Sequence, residues 1–158
     1  MLFKIKIICL GKFKEAGFVG LENEYLKRLR PYAKVELKEL KEVAYETEDM
    51  IQKVKSEEGK LILKHISADS IVIILEEKGF MRSSVEFSEF MERLGSLGRE
   101  MVFVIGSGVG LGDEVRARAN HVISLSPLTF THNFARVLLE EQIYRSAMIL
   151  TGRKYHKA

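Results

Sequence analysis

Apolar residues alternate with lysines in "LFKIKIICL", placing Phe3, Ile5, Ile7 and Cys9 on one face and Lys4 and Lys6 on the other. A period of two predicts a strand. A helix is predicted from about Glu15 to Arg30, with Tyr25, Leu26 and Leu29 inward and Pro31 closing it. "KVELKEL" alternates again as a short strand, and Thr47 to about Lys64 reads helical, with Ile51, Val54, Leu61 and His65 near one side and Gly59 a point of interruption. "SIVIILE" is an apolar run typical of a strand covered on both faces, ending in the turn "EEKG". Ser83 and Glu86 have capping-box spacing, ahead of Phe87, Phe90, Met91 and Leu94 at helical spacing. "MVFVI" is a second buried strand, followed by a short helix (about Asp113 to Ala119), the strand "HVISLS", and a long helix from about Thr131 to Leu150 that Gly152 stops.

Five strands alternating with five helices predict one α/β domain over residues 1–158, with a mostly parallel sheet and helices on both faces. The 46% hydrophobic and 30% charged composition excludes disorder. A net charge of +3 permits a nucleic-acid partner without demanding one. The single cysteine, Cys9, cannot form an internal disulfide and fits a reducing cytoplasm. Lys4 and Lys6 break the first apolar run, against a signal peptide, and no apolar segment approaches the roughly 20 residues of a membrane span. A soluble, cytoplasmic protein is expected.

"VFVIGSGVGLG" carries Gly106, Gly108, Gly110 and Gly112 directly after a predicted strand. A Walker A loop would need Lys-Ser/Thr after its last glycine, where Asp113 and Glu114 stand. A dinucleotide fingerprint begun at Gly106 would need glycine in place of Leu111 and belongs to the first βα unit. Both phosphate-binding readings fail. The acidic pair instead complements the next helix's dipole and suits a neutral or cationic ligand. Tight turns alone would also account for the glycines. Yet three loops, "LEEKG" (75–79), "IGSGVG" (105–110) and "SLSPLTFTHN" (124–133), follow predicted strands, where open α/β sheets bind ligands.

The last helix is apolar almost all round, which predicts burial by its own domain and by a second subunit. Within the stripe of Phe134, Val137, Leu138 and Met148, Glu141 and Arg145 lie four apart and can pair. That pair either serves function or tethers the interface. The terminal "RKYHKA" sets Arg153, Lys154 and Lys157 around Tyr155 and His156, cations for phosphates beside rings able to stack on bases. His65, His121 and His132 show no metal-ligand spacing, so no metal is expected.

The run "FVIGSGVG…ISLSPLTFTHNFARVLLEEQIYRSAMILTGRKYHK" closely resembles the C-terminal signature of the RlmH family of SPOUT-class methyltransferases. The similarity extends to "LEEKGFMRSSVEFSEFM" and to Gly11–Lys12, covering nearly the whole chain. The resemblance implies S-adenosylmethionine as methyl donor and, as substrate, N3 of a pseudouridine in the helix 69 loop of 23S large-subunit rRNA in the ribosome. It also implies a homodimer and a C-terminal trefoil knot (the α/β knot), an exception to the rule of unthreaded chains.

Carried over, the donor contacts fall at Leu75, Gly106, Leu125, Ser126, Pro127, Leu128, Thr129 and Phe130. Ser107 replaces a usual second glycine, with the expectation of a slightly narrower pocket, and Glu76 replaces a frequent aspartate. Near the target base the family comparison places Glu141, Arg145, Tyr155 and His156; His132 is either a further proton-acceptor candidate or a loop-organising residue. The tail of one subunit is expected to complete the other's pocket. Two rivals remain: a nucleotide-dependent oxidoreductase or other Rossmann-like enzyme, disfavoured by the missing fingerprint, and a non-catalytic ribosome-binding factor, disfavoured by retention of all three loops.

Overall fold

The computed structural model describes residues 2–157. Its strands are β1 (Phe3–Leu10), β2 (Ala33–Leu40), β3 (Ile71–Met81), β4 (Met101–Ile105) and β5 (His121–Ser124). They form one sheet in the order β2-β1-β4-β3-β5, and every pairing is parallel. The helices are α1 (Ala16–Leu29), α2 (Ile51–Leu63), α3 (Ser84–Gly95), α4 (Asp113–Arg118) and α5 (His132–Leu150), with a 3-10 turn at Glu48–Met50 leading into α2.

Both faces of the sheet are covered. On one, Ile5, Ile7, Ile73 and Phe103 pack against Leu29 of α1, Phe90 and Met91 of α3, and Leu139 and Ile143 of α5. On the other, Ile8, Val72, Ile74, Val102 and Val104 meet Ile62 of α2 and Val115 of α4. This two-sided burial is why "MVFVI" is apolar throughout. Lys6 belongs to the second face too, and only 13% of its side chain is exposed. Its stem lies along the sheet while the ammonium reaches Glu100 Oε2 at 3.3 Å, so the face opposite Ile5 and Ile7 is not simply solvated.

Other boundaries also depart from the periodicity. "EEKG" does not end β3: Leu75 and Phe80 both pair with Ile123 of β5, so residues 76–79 bulge out and the strand resumes to Met81. A Cβ on Gly79 would lie 2.6 Å from the Ile123 carbonyl oxygen, so only glycine lets the bulge close on β5. β5 ends at Ser124, two residues before the predicted stretch does. Gly59 does not interrupt α2; a Cβ there would lie 3.1 Å from Glu114 Oε2, and its absence admits α4. In α1, Leu29 is buried as expected, but Tyr25 and Leu26 are only half-buried and the second buried residue is Glu22. The α3 capping box forms as read: Ser83 Oγ accepts the Glu86 N–H at 3.2 Å and Glu86 Oε2 accepts the Ser83 N–H at 2.7 Å.

Candidate functional site

A cleft of about 890 Å³ opens where β3 leaves the sheet and where β4 and β5 end. Leu75, Gly106, Leu125, Ser126, Leu128, Thr129 and Phe130 line it; Pro127, expected with them, does not. Three loops far apart in sequence thus share one crevice because β4, β3 and β5 are neighbours in the sheet. The remaining wall comes from Glu15 and Phe18, where α1 begins, and from His132 to Ala135 at the start of α5. Phe18 anchors that wall, stacking on Phe13 at 5.3 Å and meeting Phe134 edge-on at 5.0 Å.

The acidic pair after the glycines lies off the cleft lining. Asp113 pairs with Arg116 at 3.4 Å, and Glu114 accepts a hydrogen bond from Ser56 at 3.3 Å. Arg116 itself lines the cleft, bound to Glu76 at 2.6 Å. That contact raises the guanidinium's pKa further and uses its charge within the protein. The glycine spacing has mainly internal causes. A Cβ on Gly106 would come within 3.1 Å of the Leu111 side chain, and Gly110 has φ +82°. The Ser107 hydroxyl donates to Glu58 at 2.7 Å. The main chain is therefore held flat against its own support, leaving an apolar, main-chain-rich wall. Such a wall fits an adenosyl group, and Glu15 and Glu77 on the lining suit a sulfonium cation.

A second constellation lies at the other end of α5. Glu141 Oε1 accepts from Arg145 Nε at 3.1 Å, from Arg145 Nη2 at 2.6 Å and from Tyr155 Oη at 3.1 Å. Gln142 donates to Glu141 Oε2 at 2.6 Å. Arg145 Nη1 lies 3.3 Å from His156 Nδ1; a guanidinium only donates, so Nδ1 accepts and the ring proton sits on Nε2. Burial, reinforced by hydrogen bonding to Tyr25 and by Glu141, pushes the Tyr155 phenol up to about 12, so at neutral pH it is a proton-bearing donor. The hydrogen bonds it donates to Glu141 raise the pKa of Arg145, which stays cationic.

His132 belongs with the cleft and not with this cluster. Its Nε2 is 3.5 Å from Glu42 Oε1, and the preceding Thr131 caps α5 by accepting the Phe134 N–H at 3.4 Å. Nine residues separate His132 from Glu141, roughly 14 Å along a helix and half a turn around it. Within one chain the expected site residues therefore form two groups facing different directions. Glu15, Phe18, Glu58 and Arg116 carry no motif and escaped the sequence reading. Among the described residues, no group of three or more His, Cys, Asp or Glu side chains could hold a metal ion. No helix among the described residues is long and apolar enough to cross a membrane.

Comparison with known proteins decides the family. The family described as "Predicted SPOUT methyltransferase" matches residues 3–156. A protein from Caldicellulosiruptor saccharolyticus named "Ribosomal RNA large subunit methyltransferase H" is 43% identical over 153 residues, covering 97% of this chain and 99% of that protein. A protein of the same name from Enterococcus faecalis is 42% identical over 159 residues, covering 98% and 99%. The chain belongs to the RlmH family of SPOUT methyltransferases. The sheet that builds the three-loop cleft is the α/β architecture expected from the sequence of an RlmH-family chain.

Proposed function

We propose that this protein methylates 23S rRNA, transferring the methyl group of S-adenosylmethionine to N3 of a pseudouridine in the helix 69 loop. The observation that carries the reading is the cleft itself, in which residues chosen from sequence at 75, 106, 125–126 and 128–130 converge on one apolar crevice. The donor, when bound, supplies an electrophilic methyl carried on a cationic sulfur. The main chain at Gly106 and along 125–130 would hold the adenosyl part, with Leu75, Leu128 and Phe130 packing on it. Pro127, off the lining, would shape the turn.

At the acceptor, the N3–H must lose its proton and the nitrogen must be aligned with the methyl group, alignment being the larger contribution. Glu141 is engaged by Arg145, Tyr155 and Gln142 and orients them. His156 is the residue left to take the proton, at Nδ1, once the bound base displaces Arg145 from that nitrogen. Because cleft and tail cluster face apart in one chain, a second copy supplies the tail: the active species is a homodimer, with α5 and the segment before it forming the trefoil knot. With +3 net charge per chain, RNA binding needs both subunits and an assembled ribosome, in the cytoplasm.

The test is methyl transfer from radiolabelled S-adenosylmethionine to ribosomes lacking the modification, mapped by mass spectrometry. One methyl group on N3 of a helix 69 pseudouridine is expected, with an isolated helix 69 hairpin a poor substrate. Methylation elsewhere, or none, rejects the reading.

A further inference from the structure

We infer that Glu58 is a positioning residue for the donor cleft, latching the glycine loop to the segment that carries Glu42. Glu58 is only 3% exposed, yet each carboxylate oxygen has a partner from a different part of the chain. Oε2 accepts from Ser107 Oγ at 2.7 Å, and Oε1 accepts from the Val43 backbone N–H at 3.1 Å. Ser107 lies in the loop after β4 and lines the cleft. Val43 lies in the irregular segment between β2 and the 3-10 turn. One residue earlier, Glu42 reaches Nε2 of His132 at 3.5 Å, and His132 lies on the α5 wall of the same cleft.

The path Ser107, Glu58, Val43, Glu42, His132 thus joins one side of the crevice to the other through α2. That helix also braces the far end of the loop, where a Cβ on Gly112 would lie 3.0 Å from the Lys55 carbonyl oxygen. Losing one partner strands part of a buried carboxylate, which is costly, so the two segments hold their places together. Nothing in "SEEGK" distinguishes Glu58 from an ordinary polar helix residue. The inference rests on the cleft being the donor site and adds that His132 is held in register with the loop that grips the donor.

The test uses the full-length protein, its Ser107→Ala, Ser107→Thr and Glu58→Gln variants, and the Ser107→Ala/Glu58→Gln double variant. Binding of S-adenosylhomocysteine is measured by calorimetry and exchange of the Val43 amide by NMR. Ser107→Ala should weaken binding on the order of tenfold, speed Val43 exchange even without ligand, and shift the His132 ring resonances. Ser107→Thr, which keeps the hydroxyl, should restore all three. The double variant should lose less than the product of the two single losses, as coupled residues do. Wild-type affinity and Val43 exchange in Ser107→Ala would overturn the latch. Should Glu58→Gln fail to fold, Ser107→Ala and Ser107→Thr still decide it, because they leave α2 intact. Should wild type bind no analogue, the donor-site reading fails, while Val43 exchange in the ligand-free variants still reports on the latch.

Discussion

Arg136 Nε and Glu140 Oε1 lie 4.0 Å apart, one turn along α5, and both residues are buried. Arg136 is already shared: Glu22 takes it in a two-pronged contact at 2.6 and 2.8 Å, Glu39 Oε2 sits at 3.0 Å, and the Phe13 ring covers it at 4.0 Å. Both Glu140 oxygens lack a hydrogen-bond partner among the described residues. One cation cannot compensate two buried carboxylates and a third at their edge, so one of them stays neutral. Burial, with the neighbouring Glu22 adding to it, pushes the Glu140 carboxyl up to about 9.

That shift sets a pH dependence with a definite sign. Below the ordinary carboxyl value of 4.5, Glu140 is protonated in folded and unfolded chains alike. From there to about 9 only the folded protein keeps the proton, so its stability falls as pH rises and levels off above that value. Glu140→Gln should remove this slope. Urea unfolding should show a gain on the order of a few kcal/mol at pH 8 and a much smaller one at pH 5. An equal effect at both values would mean that Glu140 does not hold a proton.

Cys9 lies against the same cluster, and burial, opposed only partly by Arg136, pushes its thiol up to about 12. The thiolate is the reactive species. Native protein at pH 8 should therefore resist an aromatic disulfide reagent over hours, and the same protein in urea should react stoichiometrically within minutes. Prompt labelling of the native state would contradict this burial.

Gly79→Ala places a methyl group against the Ile123 backbone where β3 rejoins β5. Overpacking against main chain costs roughly 1–3 kcal/mol, or about 2–12 °C in Tm for a domain of this size. Because residues 75–78 line the cleft, affinity for S-adenosylhomocysteine should fall as well. Calorimetric melting and binding titrations measure both effects.

Replacing Tyr155 and His156 together by alanine leaves the three cleft loops untouched. Binding of S-adenosylhomocysteine should match wild type, while methyl transfer to ribosomes falls by at least 10²-fold, within the range for losing an acid–base group. Turnover at the wild-type rate would remove the tail from the proposed site.

Much of the fold was legible because its signals are local. The Ser83–Glu86 box needs only three residues of spacing, and the buried "MVFVI" shows in its unbroken apolar run. The Glu141–Arg145 pair followed from a four-residue offset on one helix, and it forms at 2.6 Å. Where reading failed, a partner from elsewhere in the chain was responsible. "EEKG" looked like the end of a strand until β5 was there to pair with both Leu75 and Phe80. Asp113 and Glu114 looked available to a ligand until Arg116 and Ser56 engaged them.

By itself the sequence settled the alternation of strands and helices, the covered sheet and the three loops that follow its strands, since period, capping and motif spacing are written in neighbouring residues. Tertiary structure alone decided which distant charges meet: Arg136 finds Glu22 and Glu39 at separations of 114 and 97 residues, and Glu58 finds Ser107 across 49. Those meetings depend on the strand order β2-β1-β4-β3-β5, which comes from how apolar faces pack in three dimensions and leaves no trace in any short stretch of chain.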